Sequence, residues 1–139
     1  MKDGVRLAEA AESMIGVPFR LHGRDPRYGL DCIGLVAASL EAIGRSAIAP
    51  ASYRLRNASI EPLMNFAELS GLILTRGCIV SGDVLLASPG PGQHHLMIAE
   101  SGDAVIHAHA GLKRVVRQPF EPSMHLLTHW RLSELNKKD

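Results

Sequence analysis

The sequence predicts an α+β domain, and three observations carry that expectation. Apolar residues recur at helical spacing through the first half of the chain. They fall into short alternating or continuous blocks through the second half. The 139-residue length suits one domain, 1–139, with a single core. Helices first and strands after, rather than the two alternating, is the order of a fold that packs helices on one side of an antiparallel sheet.

Leu7, Ala10, Ala11, Met14 and Ile15, with Arg6, Glu9, Glu12 and Ser13 between them, predict a first helix that ends at Gly16, with Pro18 just beyond. Pro18, Gly23, Pro26 and Gly29 predict a loop over residues 18–31. Cys32 to Ile43 predicts a second helix, closed by Gly44; it is apolar on most sides and therefore central. Residues 45–57 read as a connector, and Ile60 to Leu72 as a third helix with Gly71 near its end. From Leu74 onward the pattern is of strands. Asp83–Ala87 is followed by the turn Ser88-Pro89-Gly90-Pro91-Gly92. His95–Glu100 and Ala104–Ala108 form a hairpin across Ser101-Gly102-Asp103. Lys113–Arg117 and Leu126–Leu132 complete an antiparallel meander, and Ser133–Asp139 reads as a frayed polar tail.

Composition excludes several classes. Hydrophobic residues make up 46% of the chain and charged ones 21%, a globular balance. A net charge of +1 with no face-wide basic run gives no case for nucleic acid, and Lys113–Arg117 alternates like a solvated strand face. No run approaches the ~18 apolar residues of a membrane span. The first six residues open an amphipathic helix without the apolar centre of a signal peptide, so no secretion route of the chain's own is expected. A domain able to build a core does not need a disulfide, so Cys32 and Cys78 are expected to be unpaired. Cys78, within Gly77-Cys78-Ile79-Val80, is expected to be a small buried hydrophobe.

The chemistry concentrates on Cys32, at the junction of the loop and the central helix. Helix N-termini carry unsatisfied N–H groups and partial positive charge, so the thiol is expected to shift toward thiolate. A thiol nucleophile needs a base, and the base needs an orienting partner. His95 opens one hairpin strand and His107 closes the other, which predicts that they lie across from one another on one face, with His95 as base and His107 holding its second ring nitrogen. Taken alone, Cys32 reads more readily as a core residue than as a nucleophile. His22, His125 and His129 read as ordinary polar positions, and His94 as pointing opposite to His95. His107 and His109 also have a metal-ligand spacing, but no carboxylate or second cysteine supports it, so no metal and no cofactor are expected.

Four segments resemble, in order, those of the NlpC-type cell-wall cysteine peptidases. Gly16-Val17-Pro18-Phe19-Arg20 and Gly29-Leu30-Asp31-Cys32-Ile33-Gly34-Leu35-Val36 are similar to that family's Gly-x-Pro-Tyr and Asp-Cys-Ser-Gly-Leu-Val nucleophile segment. Gly82-Asp83-Val84-Leu85 resembles its Gly-Asp-Leu strand, His95-Leu96-Met97-Ile98 its His-Val-Gly-Ile segment, and Val105-Ile106-His107-Ala108 its Ile-His-Ala ending. Together they span roughly residues 16–117.

The resemblance implies a papain-like fold, with Cys32 as nucleophile at the start of a central helix, His95 as base and His107 as orienting residue. It implies hydrolysis of amide bonds in peptidoglycan stem peptides, with the Cys32 N–H helping to hold the oxyanion. Asp31 stands where the family's aspartate helps receive a substrate amine; it fits an N-cap equally well. Phe19 and Arg20 are expected beside the substrate with it. Phe19 replaces a tyrosine hydroxyl and Ile33 a serine, changes that bear on substrate preference. The Arg24-Asp25-Pro26-Arg27-Tyr28 insertion resembles members carried by phage tails and gene-transfer particles. That implies tail proteins as partners and delivery from the bacterial cytoplasm to the wall by the particle. The alternatives are a catalytically silent tail module with the same fold, and an amidase or acyltransferase for another substrate.

Overall fold

The first helix, α1 (Asp3–Glu12), buries Leu7, Ala8 and Ala11 and stops before Gly16. Its end is set by tertiary pairing: Gly16 N–H donates to Val115 O, Val115 N–H to Val17 O and Phe19 N–H to Lys113 O, which draws the chain off the helix onto a strand edge. The computed structural model describes residues 2–50 and 60–133. Of the expected connector and polar tail, residues 51–57 and 134–139 lie outside the described residues.

The expected loop over 18–31 contains a two-stranded hairpin, β1 (Arg24–Asp25) and β2 (Gly29–Leu30). The Asp25 carboxylate accepts from the Arg27 backbone and guanidinium, and Tyr28 N–H donates to Asp25 O, so the turn is made by local polar bonds that periodicity does not show. The central helix α2 (Cys32–Ala42) is buried at every position from Cys32 to Leu40. The third helix, α3 (Glu61–Leu69), ends earlier than expected. Gly71 turns the chain with φ +82°, and Leu72 already opens β3 (Leu72–Thr75).

The remaining strands are β4 (Val84–Ala87), β5 (His95–Ser101), β6 (Ala104–His109), β7 (Arg114–Pro119) and β8 (Leu126–Leu132). The six-stranded antiparallel sheet runs β3-β8-β4-β5-β6-β7. Strands β4 to β7 form the expected meander, but β8 departs from it by returning between β3 and β4. Two features hold it there: Trp130 is fully buried in the main core, and Arg131 grips the buried Asp83 carboxylate through Nε at 2.8 Å and Nη2 at 3.0 Å.

Strand alternation divides two apolar layers. Leu96, Ile98, Ile106 and Ala108 face α2 and the main core, while Met97, Ala99 and Val105 join a smaller cluster with Leu85 and Ala87. Full burial of a leucine or isoleucine is worth about 2 kcal/mol, so this α2-facing layer anchors the helix to β5 and β6. Cys78 is exposed, against expectation; its apolar neighbours Ile79 and Val80 lie outside the main core, and its carbonyl accepts from Arg131. Both cysteines are free thiols.

Candidate active site

Asp31 caps α2. Its backbone is extended (φ −100°, ψ −169°) and its carboxylate accepts from Gly34 N–H at 2.8 Å, satisfying one of the open donors of the first turn. The same carboxylate accepts from Arg24 Nη1 at 3.0 Å and His22 N–H at 2.7 Å, which ties the β1–β2 hairpin to the helix start. A Cβ on Gly34 would run into Gly23 O, so only glycine lets the loop lie this close to the first turn. Asp31 is fully buried and engaged within the chain.

Cys32, the first residue of α2, is fully buried too. It lies where α2 packs against β5, and the backbone N–H groups of Leu96 and Ile33 act on its sulphur. The expected shift toward thiolate is not found. Burial pushes the thiol up to about 12, and the Asp31 charge adds to this, while the Leu96 and Ile33 donors and Arg24 oppose it without prevailing. Removing a thiolate from water costs more than the helix terminus returns.

The histidines form a relay on the β5–β6–β7 face. His95 Nε2 lies 2.8 Å from His107 Nδ1, with the rings edge-on at 4.9 Å between centroids. The two are diagonal neighbours rather than directly opposed: Ile98 pairs with Ile106 and Ala99 with Val105, and extending this register sets Met97 across from His107. They share a face as expected, and the diagonal lets ring nitrogens meet. His107 Nε2 in turn lies 2.5 Å from Gln118 Oε1, on β7. Gln118 was not expected from the sequence; only the β6–β7 register, with Val105 opposite Gln118, places it beside His107.

A pocket of about 540 Å³ opens on these groups, with Phe19, His94, His95, His107, His109 and Gln118 in its wall. His94 lines the same pocket as His95. His109 Nδ1 accepts from Leu112 N–H, so that nitrogen serves the β6–β7 turn. Arg20 is exposed and lies outside the pocket wall. Cys32 is not in the wall either, and no hydrogen bond joins it to His95 among the described residues. The structure therefore brings His95, His107 and Phe19 together around one pocket and places Cys32 in the main core, at the start of α2. Such contacts commonly tighten only when substrate is bound. Among the described residues, no group of three His, Cys, Asp or Glu side chains is arranged to hold a metal.

Neither a family model nor a curated protein matches the sequence. Solved structures do match the fold. The NlpC/p60 domain of the peptidoglycan hydrolase SagA aligns with TM-score 0.65 and 23% identity over 93% of this chain and 98% of that one. NlpC1 from Trichomonas vaginalis aligns with TM-score 0.67 and 22% identity over 93% of this chain, which spans 44% of that protein. The peptidoglycan hydrolase RipB from Mycobacterium tuberculosis gives 0.57 and 16%, over 96% of this chain and 66% of that one. The fold is that of the NlpC/p60 domains. At these identities the likeness concerns architecture, namely helices packed on an antiparallel sheet with Cys32 at the start of the central one. None of the described helices is long and apolar enough to cross a membrane.

Burial, and then the neighbouring His107 and His109, hold His95 down to about 3, and burial also lowers His107. Both rings are therefore neutral in the folded state at pH values where an unfolded histidine, near 6.5, is charged. Below that value the unfolded chain binds more protons, so stability falls as pH drops from about 6.5 toward 3. The ceiling is about 1.4 kcal/mol per pH unit for each group, reduced here because His95 borders the open pocket. Denaturant unfolding at pH 7 and pH 5 is expected to show a loss that His95→Gln visibly lessens. Equal losses in both proteins would disprove the assignment.

Proposed function

We propose that the protein is a cysteine hydrolase of peptidoglycan stem peptides. The observation that carries this reading is the placement of a thiol at the start of the central helix, beside a strand whose first residue, His95, is already oriented by His107. The NlpC/p60 neighbours that are named peptidoglycan hydrolases support the substrate class.

In the reaction, the Cys32 proton passes to His95 Nδ1 as sulphur attacks the amide carbonyl. The carbonyl oxygen takes up negative charge beside the α2 N-terminus, where the Cys32 N–H points. Collapse returns the proton through His95 to the leaving amine and leaves a thioester on Cys32. Water, deprotonated by His95, then releases the acid and restores the thiol. His107 holds His95 Nε2 throughout, which leaves Nδ1 for the proton. Because thiol and imidazole both rest neutral, proton transfer accompanies attack rather than preceding it.

Incubation with defined stem peptides, read by mass, tests the proposal. A product pair differing from the substrate by one water is expected. A second reading keeps the fold without turnover, and the burial of Cys32 favours it. Intact stem peptides after long incubation, at several pH values, would select that second reading.

A further inference from the structure

We infer that Gln118 is a positioning residue that sets the tautomers of His107 and His95 and so leaves His95 Nδ1 free to take the Cys32 proton. The inference rests on the hydrolase reading for its catalytic consequence, but not for its structural content. The geometry is a line of three side chains on adjacent strands: His95 on β5, His107 on β6 and Gln118 on β7.

An amide oxygen can only accept, so His107 Nε2, facing Gln118 Oε1, must carry the proton. A neutral His107 then has its lone pair on Nδ1. The His95 nitrogen facing that lone pair, Nε2, must in turn carry a proton. His95 is neutral, so its lone pair falls on Nδ1, the remaining nitrogen and the one needed as base. The opposite amide orientation would reverse every hydrogen bond in the line. It would end with a proton on His95 Nδ1 and no base for the thiol.

A neutral glutamine achieves this without charging His107, as a carboxylate would. The titratable groups around His107 are His95 on β5 and His109 on its own strand, and His94 lines the same pocket; among the described residues, no Asp, Glu, Lys or Arg lines it. Hydrogen bonding through Gln118 is therefore the main polar influence from the β7 side.

The test is nitrogen NMR of ¹⁵N-histidine-labelled protein together with pH–rate profiles on stem peptides. In the wild type, both His95 and His107 are expected to be protonated on Nε2 at neutral pH. Gln118→Ala should give mixed tautomers and lower kcat roughly 10–100-fold with KM little changed, the usual cost of losing an orienting partner. Gln118→Glu should stabilise the His107 imidazolium, whose Nδ1–H then donates to His95 and reverses the line. Its activity is expected to recover only at higher pH, so the acid limb of the profile moves up. Melting curves for both variants separate these effects from misfolding. The inference is overturned if wild-type His107 is protonated on Nδ1, or if folded Gln118→Ala keeps wild-type tautomers and rate. Wild-type tautomers as expected, in a protein that cleaves no stem peptide, would uphold the assignment of Gln118 and refute the hydrolase reading.

Discussion

Cys32→Ala is expected to abolish stem-peptide hydrolysis, lowering kcat by about 10⁴ or more while the fold survives. The size of the effect follows from covalent catalysis: without sulphur there is no thioester, and the His95–His107 relay has no proton to move. Survival of the fold follows from the site itself. Alanine is a good helix former, the Asp31 cap acts on Gly34 rather than on residue 32, and only one buried atom is lost. Cys32→Ser should be nearly as inactive, because a serine hydroxyl is a much weaker acid than a thiol. Cys78→Ala, at an exposed position away from the relay, should retain wild-type activity. Product formation followed by mass, with melting temperatures alongside, checks all three; a folded Cys32→Ala protein with wild-type turnover would end the mechanism.

What could be read from the sequence here was what local spacing controls. The apolar run after Cys32 gave α2 to within a residue, and alternation on either side of Ser101-Gly102 gave the hairpin that carries His95 and His107. Long-range choices were hidden. Nothing local tells β8 to enter between β3 and β4; Trp130, buried in the core, and the adjacent Arg131, paired with Asp83 48 residues earlier in the chain, decide it together. Gln118 was missed for the same reason, since a glutamine in Arg117-Gln118-Pro119 gains meaning only once Val105 is known to face it. The thiol's direction of shift was misread because the helix terminus is visible in sequence whereas full burial is not. The early end of α1 likewise depends on pairing partners distant in the chain, whereas the hairpin of residues 24–30 rests on local polar bonds that hydrophobic periodicity does not register.

Asp31→Ala is expected to cost about 3 kcal/mol, roughly 10 °C in melting temperature for a domain of this size. The buried carboxylate accepts from Gly34 N–H, His22 N–H and Arg24, and alanine leaves those donors unanswered. Loss of the cap alone is worth about 1 kcal/mol. Removing one side of a buried ion pair costs about 3–5 kcal/mol when the partner is stranded. Arg24 is one-third exposed and can turn to water, so its share is smaller. Asp31→Asn retains an oxygen for Gly34 N–H and should lose about half as much. Thermal melts check both values, and a loss below about 1 kcal/mol in Asp31→Ala would show that the hairpin and helix hold together by other means. The pair also separates the two roles open to Asp31 in the sequence. A capping residue lowers the melting temperature while the folded fraction keeps its KM, whereas a receptor for a substrate ammonium raises KM in the better-folded Asp31→Asn. Full burial and three internal donors favour the first outcome, because a carboxylate already neutralised by Arg24 has little charge left to offer a second cation.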